Sequence, residues 1–422
     1  MTYAQGIIED KLSKGIHVVT ENLPGRKSIS IGVWADVGSR DEPLELQGCS
    51  HLIEHMLFKG TKRRSAEEIS KVIENRGGNL NAFTDREFTC YTARVLDRDT
   101  ALAIDVIADM LQNSLFRRED LQREKAVVLE EISRRDDNPE SLIRDLSTEA
   151  VWKGNLVGHP VLGTKETIKN VTREQVESYF HGNYGYDRIV VSAAGKLEHG
   201  EFMDMLEKNF LEGMYGKNNR REEPVYQSVK SFHERESSQV QLCVSADGFP
   251  YAKTTWYELN LLSSYLGEGA SSKLFQEVRE KRGLVYSIYS QNLALKDCGL
   301  FEIFAGTSRS NATEVLELIL KELYNIREGR MEEDALEKTK QKFEGELTLQ
   351  MDSSRTRMFS MGISKLRLGR VLTPDEMVEM TNNVSIDDIS NIASKIFETE
   401  DVSLITLGLP RELEKKIGGL LD

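Results

Sequence analysis

The sequence predicts an α+β fold of two related domains, each a mainly antiparallel sheet with helices packed on one face. Three observations carry this. A chain of 422 residues is well beyond a typical domain of about 150 residues, so more than one hydrophobic core is expected. A weak internal repeat relates Ser65 to Gly77 (SAEEISKVIENRG) to Ser271 to Gly283 (SSKLFQEVREKRG); aligned without gaps, Val72, Glu74, Arg76 and Gly77 meet Val278, Glu280, Arg282 and Gly283. The order of patterns is also shared, with strand-like SISIGVWADVG near residue 30 and QVQLCVSADG near residue 240 at corresponding places.

Each half reads as strand, helices, hairpin, helices, strand. In both repeats a serine opens a helical pattern and a glycine closes it, as capping chemistry demands. Helix-period runs follow from Asp99 (DTALAIDVIADMLQNSLF) and from Asn311 (NATEVLELILKELYNI). Each precedes a Glu-Asp pair, Glu119-Asp120 and Glu333-Asp334, and then a further long helical run. The polar stretch from Tyr215 to Pro224 (YGKNNRREEP) marks the seam. The expected division is an N-terminal catalytic domain over 1–215, a linker over 216–235 and a C-terminal domain over 236–422.

Composition excludes several classes of function. At 39% hydrophobic and 29% charged, the chain can bury sizeable cores and is not broadly disordered. A formal net charge of -14 disfavours general nucleic-acid binding, which depends on neutralising phosphates, and suits a soluble protein or one that receives basic partners. Four scattered cysteines, with no CxxC pair, exclude a disulfide scaffold or a cysteine-rich zinc module. The opening MTYAQGIIEDKLSKGIHVV has no basic region followed by an apolar run, and no stretch has the ~20 apolar residues of a membrane span. A cytoplasmic protein with no membrane partner is expected.

The chemistry concentrates in LQGCSHLIEHMLF, from Leu46 to Phe58. His51, Glu54 and His55 have the H-x-x-E-H spacing of an inverzincin. Positions i and i+4 share one helical face with i+3 beside them, so two imidazoles can bind one zinc while the carboxylate reaches water next to it. Zinc in a catalytic site takes three protein ligands, and the third should be a carboxylate on another element. EDLQREKAVVLEEIS, from Glu119 to Ser133, offers Glu124, Glu130 and Glu131. Glu124 and Glu131 are two helical turns apart and share a face; Glu130 points away. On their residue types alone, all three read more readily as a charged helix surface than as ligands.

With Glu131 following at that distance, the motif resembles the pitrilysin/insulinase superfamily of zinc peptidases, and within it the bacterial subfamily similar to mitochondrial processing peptidase. The resemblance spans nearly all of the chain and includes GGNLNAFTDREFTCY (Gly77 to Tyr91), the Gly158-His159-Pro160 region with Gly163, and REKRGLVY (Arg279 to Tyr286). It implies His51, His55 and Glu131 as ligands of one Zn2+, Glu54 as general base, and Glu124 as the acid that holds a ligand histidine. It further implies Arg279 and Tyr286 as groups reaching substrate from the C-terminal half, and Asn81, Ala82 and Phe83 as an edge strand that pairs with extended substrate. A clamshell arrangement, a peptide or unfolded polypeptide as substrate, and a homodimer are the remaining expectations from the family.

The second half lacks the motif: opposite His51, Glu54 and His55 stand Tyr257, Asn260 and Leu261, and opposite Glu131 stands Gly345. The expected activity is that of a zinc metalloendopeptidase. Three alternatives stay open at this level, a non-catalytic structural paralogue of the processing-peptidase family, a zinc hydrolase of a small molecule and a helical binding module without metal. Smaller features have plainer readings: Cys49 as a small buried side chain, His159-Pro160 as a turn, and the basic run Lys59 to Arg64 as a solvated loop able to tune the charge of the site.

Overall fold

The computed structural model describes residues 6–210, 216 and 221–421; the seam expected from Tyr215 to Pro224 therefore lies partly outside the described residues. The first half runs β1 (Ile7–Lys11), β2 (His17–Asn22), β3 (Ser28–Ala35), α1 (Cys49–Leu57), α2 (Ala66–Glu74), β4 (Asn79–Thr84) and β5 (Thr89–Leu96). It continues with α3 (Thr100–Asn113), α4 (Arg118–Asp137), α5 (Pro139–Val151), α6 (Lys165–Asn170), α7 (Arg173–Asn183), β6 (Ile189–Gly195) and α8 (His199–Asn209). The second half runs β7 (Lys230–His233), β8 (Gln239–Asp247), α9 (Thr255–Gly267), a π-helical segment over Phe275–Glu280, β9 (Val285–Ala294) and β10 (Gly299–Ser308). There follow α10 (Ala312–Arg327), α11 (Glu333–Gln350), α12 (Ser354–Leu368), α13 (Pro374–Asn382), α14 (Ile386–Ile396), β11 (Ser403–Leu407) and α15 (Arg411–Gly418).

The duplication is visible in the sheets. One has the strand order β1-β2-β6-β3-β5-β4 and the other β7-β11-β8-β10-β9, the same order without the outer strand. Both are antiparallel except at one pair each, β2 with β6 and β11 with β7. The repeat glycines Gly77 and Gly283 both have left-handed backbone, φ +75° and +63°, which stops a helix just before each hairpin. The capping differs between copies. Ser65 opens α2 with reciprocal bonds to Glu68, whereas the second copy is wound as a π-helix, Lys281 N–H donating to the Gln276 carbonyl.

Two compact units result, drawn from Met1–Arg134, His159–Arg221 and Thr348–Asp375 for the first, and Arg135–Gly158, Glu222–Leu347 and Glu376–Asp422 for the second. Each thus takes one helix from the other half of the sequence: α12 belongs to the first and α5 to the second. In the first unit, seven of the described helices (α1, α2, α3, α4, α6, α7 and α8) contribute buried apolar residues to the core on one side of the sheet, with Ile29, Ile31, Val33 and Ala35 of β3. The alternate residue Trp34 points to the opposite side, where it packs with Phe88, Cys90, Val190, Met358 and Met361. That side is covered by α12. Ser30 hydroxyl meets Ser354 hydroxyl at 3.0 Å, and Trp34 Nε1 donates to Ser192, whose hydroxyl donates in turn to the Met358 carbonyl at 2.9 Å.

The exchange is matched in volume and in polarity. Asn138 caps α5 and Ser353 caps α12; counted from those caps, Ser147 and Gly362 hold the same position. Gly362 lies against Trp34, where an added Cβ would stand 2.3 Å from the indole. Ser147 lies over Ser245, which occupies the place in β8 that Trp34 holds in β3, and donates to the buried Glu302 carboxylate at 2.7 Å. Gln291 satisfies the other Glu302 oxygen, also at 2.7 Å, so a carboxylate only 1% exposed retains its donors. Each helix therefore fits the sheet it covers, and neither would fit the other. Among the described residues no helix is long and apolar enough to cross a membrane.

Candidate metal centre

Helix α1 sets the geometry. Leu52, Ile53, Met56 and Leu57 enter the core of the first unit, which turns His51, Glu54 and His55 to the other face. Its first turn is held by a group that the motif does not contain: the buried Glu42 carboxylate accepts the Gly48 and Ser50 backbone N–H groups, at 2.7 and 2.5 Å. Unsatisfied N–H groups and the positive end of the helix favour an acid there. Burial nevertheless outweighs those bonds and pushes the Glu42 carboxyl up to about 8.

Three candidate ligand atoms converge. One Glu131 carboxylate oxygen lies 3.5 Å from His51 Nε2 and 3.8 Å from His55 Nε2, and one donor atom from each of the three residues falls within 4.8 Å of the others. Bonds of about 2.1 Å to a tetrahedral zinc would separate ligand atoms by roughly 3.4 Å, so the residues present fit the ion. Among the described residues this is the one group of three or more such side chains with that spacing.

The helix carrying Glu131 does two jobs. Glu124, on the same face of α4, accepts from His55 Nδ1 at 3.0 Å and pairs with Lys59 at 2.8 Å. A carboxylate on the far nitrogen fixes the tautomer that presents Nε2 to a metal. Glu130 is exposed and away from this group. Lys59 is thus part of the site, and in the rest of its basic run, expected as a solvated loop, Lys62 and Arg63 are exposed while Arg63 and Arg64 pair with Asp105 and Asp109.

Glu54 accepts a hydrogen bond from the Thr84 hydroxyl at 2.5 Å. Burial raises its carboxyl pKa above the ordinary range, opposed by that bond and by His55. Thr84 closes β4 and was missed in the sequence; its one signal was its place inside the stretch from Gly77 to Tyr91. Of the expected edge-strand residues, Ala82 packs toward the helices and the Phe83 ring toward Trp34, Phe88 and Phe359. Only Asn81 leaves its side chain exposed. Arg279 and Tyr286 belong to the second unit, where the Arg279 guanidinium lies 4.8 Å from the Phe275 ring centre and Tyr286 is 67% exposed.

His51 yields a pH test. Burial, with His55 next to it, lowers its imidazole pKa to about 4. Without metal the unfolded chain takes up this proton first, so the stability tied to His51 is complete above pH 6.5 and lost as pH falls toward 4. The loss amounts to about 3 kcal/mol. Urea unfolding of metal-free protein at pH 7 and pH 4.5, which spans most of that window, should show a drop larger by about 2 kcal/mol in the wild type than in His51→Gln; equal drops would refute it.

Comparison with known proteins places this chain in a family. A family model described as Insulinase (Peptidase family M16) matches residues 17–165, and one described as Peptidase M16 inactive domain matches residues 170–343. A Bacillus subtilis protein named as an uncharacterized zinc protease, YmxG, is 37% identical over 393 residues, which cover 92% of this chain and 95% of its own. The chain belongs to the insulinase family of peptidases, M16. A second M16 relative, named as a zinc protease of Streptomyces coelicolor, is 35% identical over 91% of this chain and 86% of its own. The M16 fold is shared with a protease from Helicobacter pylori, TM-score 0.87 at 20% identity over 95% of this chain and 99% of that one. It is shared also with a Pseudomonas fluorescens protein described as a peptidase M16 inactive domain, TM-score 0.89 at 17% identity over 96% and 98% of the two chains. The M16 inactive-domain match falls on the half in which Tyr257, Asn260, Leu261 and Gly345 replace the motif residues.

Proposed function

We propose that this chain is a zinc metalloendopeptidase acting on short or unfolded polypeptides, with one zinc per chain held by His51, His55 and Glu131. The observation that carries the reading is the convergence of those three donor atoms at zinc spacing, beside a half-buried carboxylate that is not one of them. When bound, the ion supplies Lewis acidity, acidifying water and polarising a carbonyl oxygen. Glu54 takes the proton of the attacking water and delivers it to the leaving amide nitrogen, a role served by a carboxyl pKa raised toward neutrality. Thr84 keeps the Glu54 carboxylate oriented, and Glu124 keeps His55 in one tautomer. Backbone groups of Asn81 to Phe83 bind extended substrate, and Arg279 and Tyr286 contribute from the second unit. Enclosure of substrate between the units, the homodimer and a cytoplasmic location complete the proposal on the strength of the family.

Against a non-catalytic paralogue stands the retention of all three ligands together with Glu54. The test combines elemental analysis with cleavage of a mixed peptide library. The purified protein should hold zinc at one equivalent and cut library peptides, and a chelator should stop both cutting and zinc retention until zinc is restored. A zinc-loaded protein that leaves the library intact would overturn the peptidase reading.

A further inference from the structure

Among the described residues, the edge strand β4 has a neighbour on one side only, β5. Along it, Leu80 and Ala82 turn toward the helices, while Asn79 and Asn81 turn to the side on which α12 lies and are exposed there. On that side a cavity of about 350 Å³ has Asn79, Asn81, Thr92, Arg94, Arg355 and Met358 among its walls. Pairing in the sheet sets Arg94 directly opposite Asn79 and Thr92 opposite Asn81. Arg355 stands in the first turn of α12, its guanidinium 5.4 Å from the Phe359 ring centre, and the same turn is tied to β3 through Ser354 and Ser30.

The charge here is one-sided. No carboxylate lines the cavity, and neither arginine has an ion-pair partner among the described residues. Several other arginines of this unit are paired, as Arg64 is with Asp105 and Asp109 and Arg357 with Glu21. A chain with a net charge of -14 thus keeps two unneutralised guanidiniums beside its edge strand. Guanidinium forks match carboxylates in geometry as well as charge, and the N-terminal end of α12 adds its own positive potential.

Register relates this cavity to the chemistry. Thr84, which contacts Glu54, lies at one end of β4, and Asn81 and Asn79 follow at about 10 and 17 Å along it, at ~3.4 Å per residue. A peptide laid along the edge would send alternate side chains to each face of the sheet. We propose that this cavity is a selectivity subsite for an acidic side chain of the substrate, an Asp or Glu placed three to five residues from the cleaved bond. The inference rests on the peptidase reading for its substrate, but its test does not depend on turnover.

Zinc-loaded Glu54→Gln protein is titrated with fluorescent peptides that differ only in Glu or Gln at each of positions three to five on either side of a mapped cleavage site. If no site can be mapped, Glu and Gln are instead scanned along a fixed peptide. The Glu peptide should bind about tenfold more tightly at one or more of these positions. That advantage should shrink in 0.5 M salt, as it must for partly exposed charges, and vanish when Arg94→Gln and Arg355→Gln are combined. In the enzyme with Glu54 intact, kcat/KM should show the same ratio. Equal binding of Glu and Gln peptides, an advantage that survives the double substitution, or failure of both peptides to bind would each overturn the subsite. Hydrolysis with no acidic preference would remove the subsite and leave the peptidase; acidic preference in binding without hydrolysis would do the reverse.

Discussion

Glu54→Gln is expected to retain zinc at the wild-type level and to lose peptide hydrolysis by about a thousandfold, within the range general-base catalysis supplies. The amide keeps the size of the carboxylate and can still meet the Thr84 hydroxyl, so the site keeps its shape. What it cannot do is hold a proton in transit. The three donor atoms belong to His51, His55 and Glu131, and none of their contacts runs through Glu54, which is why metal content should not follow activity. Elemental analysis and single-turnover hydrolysis on one preparation separate the two quantities. A variant that keeps zinc and cuts at the wild-type rate would remove Glu54 from the mechanism; one that loses zinc would show that the carboxylate supports the ligands and not the proton transfer.

The second large effect concerns the exchanged helices. Gly to Ala in a helix interior ordinarily stabilises by about 1 kcal/mol. At Gly362 the sign should reverse, because the new methyl would stand 2.3 Å from the Trp34 indole, and real Cβ atoms do not come within 3.0 Å of anything unbonded. Overpacking of this kind costs about 2 kcal/mol. Trp34, fully buried, should itself cost about 4 kcal/mol on truncation to alanine. In the Trp34→Ala background the Gly362→Ala change should become stabilising, so the two substitutions are coupled by roughly 3 kcal/mol. Chemical denaturation followed by far-ultraviolet circular dichroism measures all four proteins of the cycle. Additive effects would mean that α12 does not depend on the fit of glycine to tryptophan.

How much of this was legible in the sequence follows from what a helical period records. A run such as EDLQREKAVVLEEIS states which residues share a face, so Glu124 and Glu131 could be grouped and Glu130 set apart. It does not state what that face meets. Only the packing of α4 beside α1 sets Glu131 at the ε nitrogens of both histidines and Glu124 at the δ nitrogen of one. The same holds for Glu42 and Thr84, which reach α1 from a loop and from a strand and carry no spacing that could have announced them. The basic run after α1 read as solvent-exposed because its acidic partners, Glu124, Asp105 and Asp109, are distant in sequence.

What the sequence by itself determined was local or repeated: the H-x-x-E-H triplet, whose spacing already is its geometry on a helix, and the duplication, whose shared order of strands and helices yields two sheets of one topology. What only the tertiary structure decided was which element each half keeps. Patterns of apolar residues specify that α5 and α12 bury a face, but the choice of sheet turns on single side chains facing one another across a gap: Gly362 against Trp34, and Ser147 against Ser245 and Glu302. Volume and hydrogen-bond satisfaction are properties of pairs in contact. A chain read one residue at a time contains both members of each pair without saying that they meet.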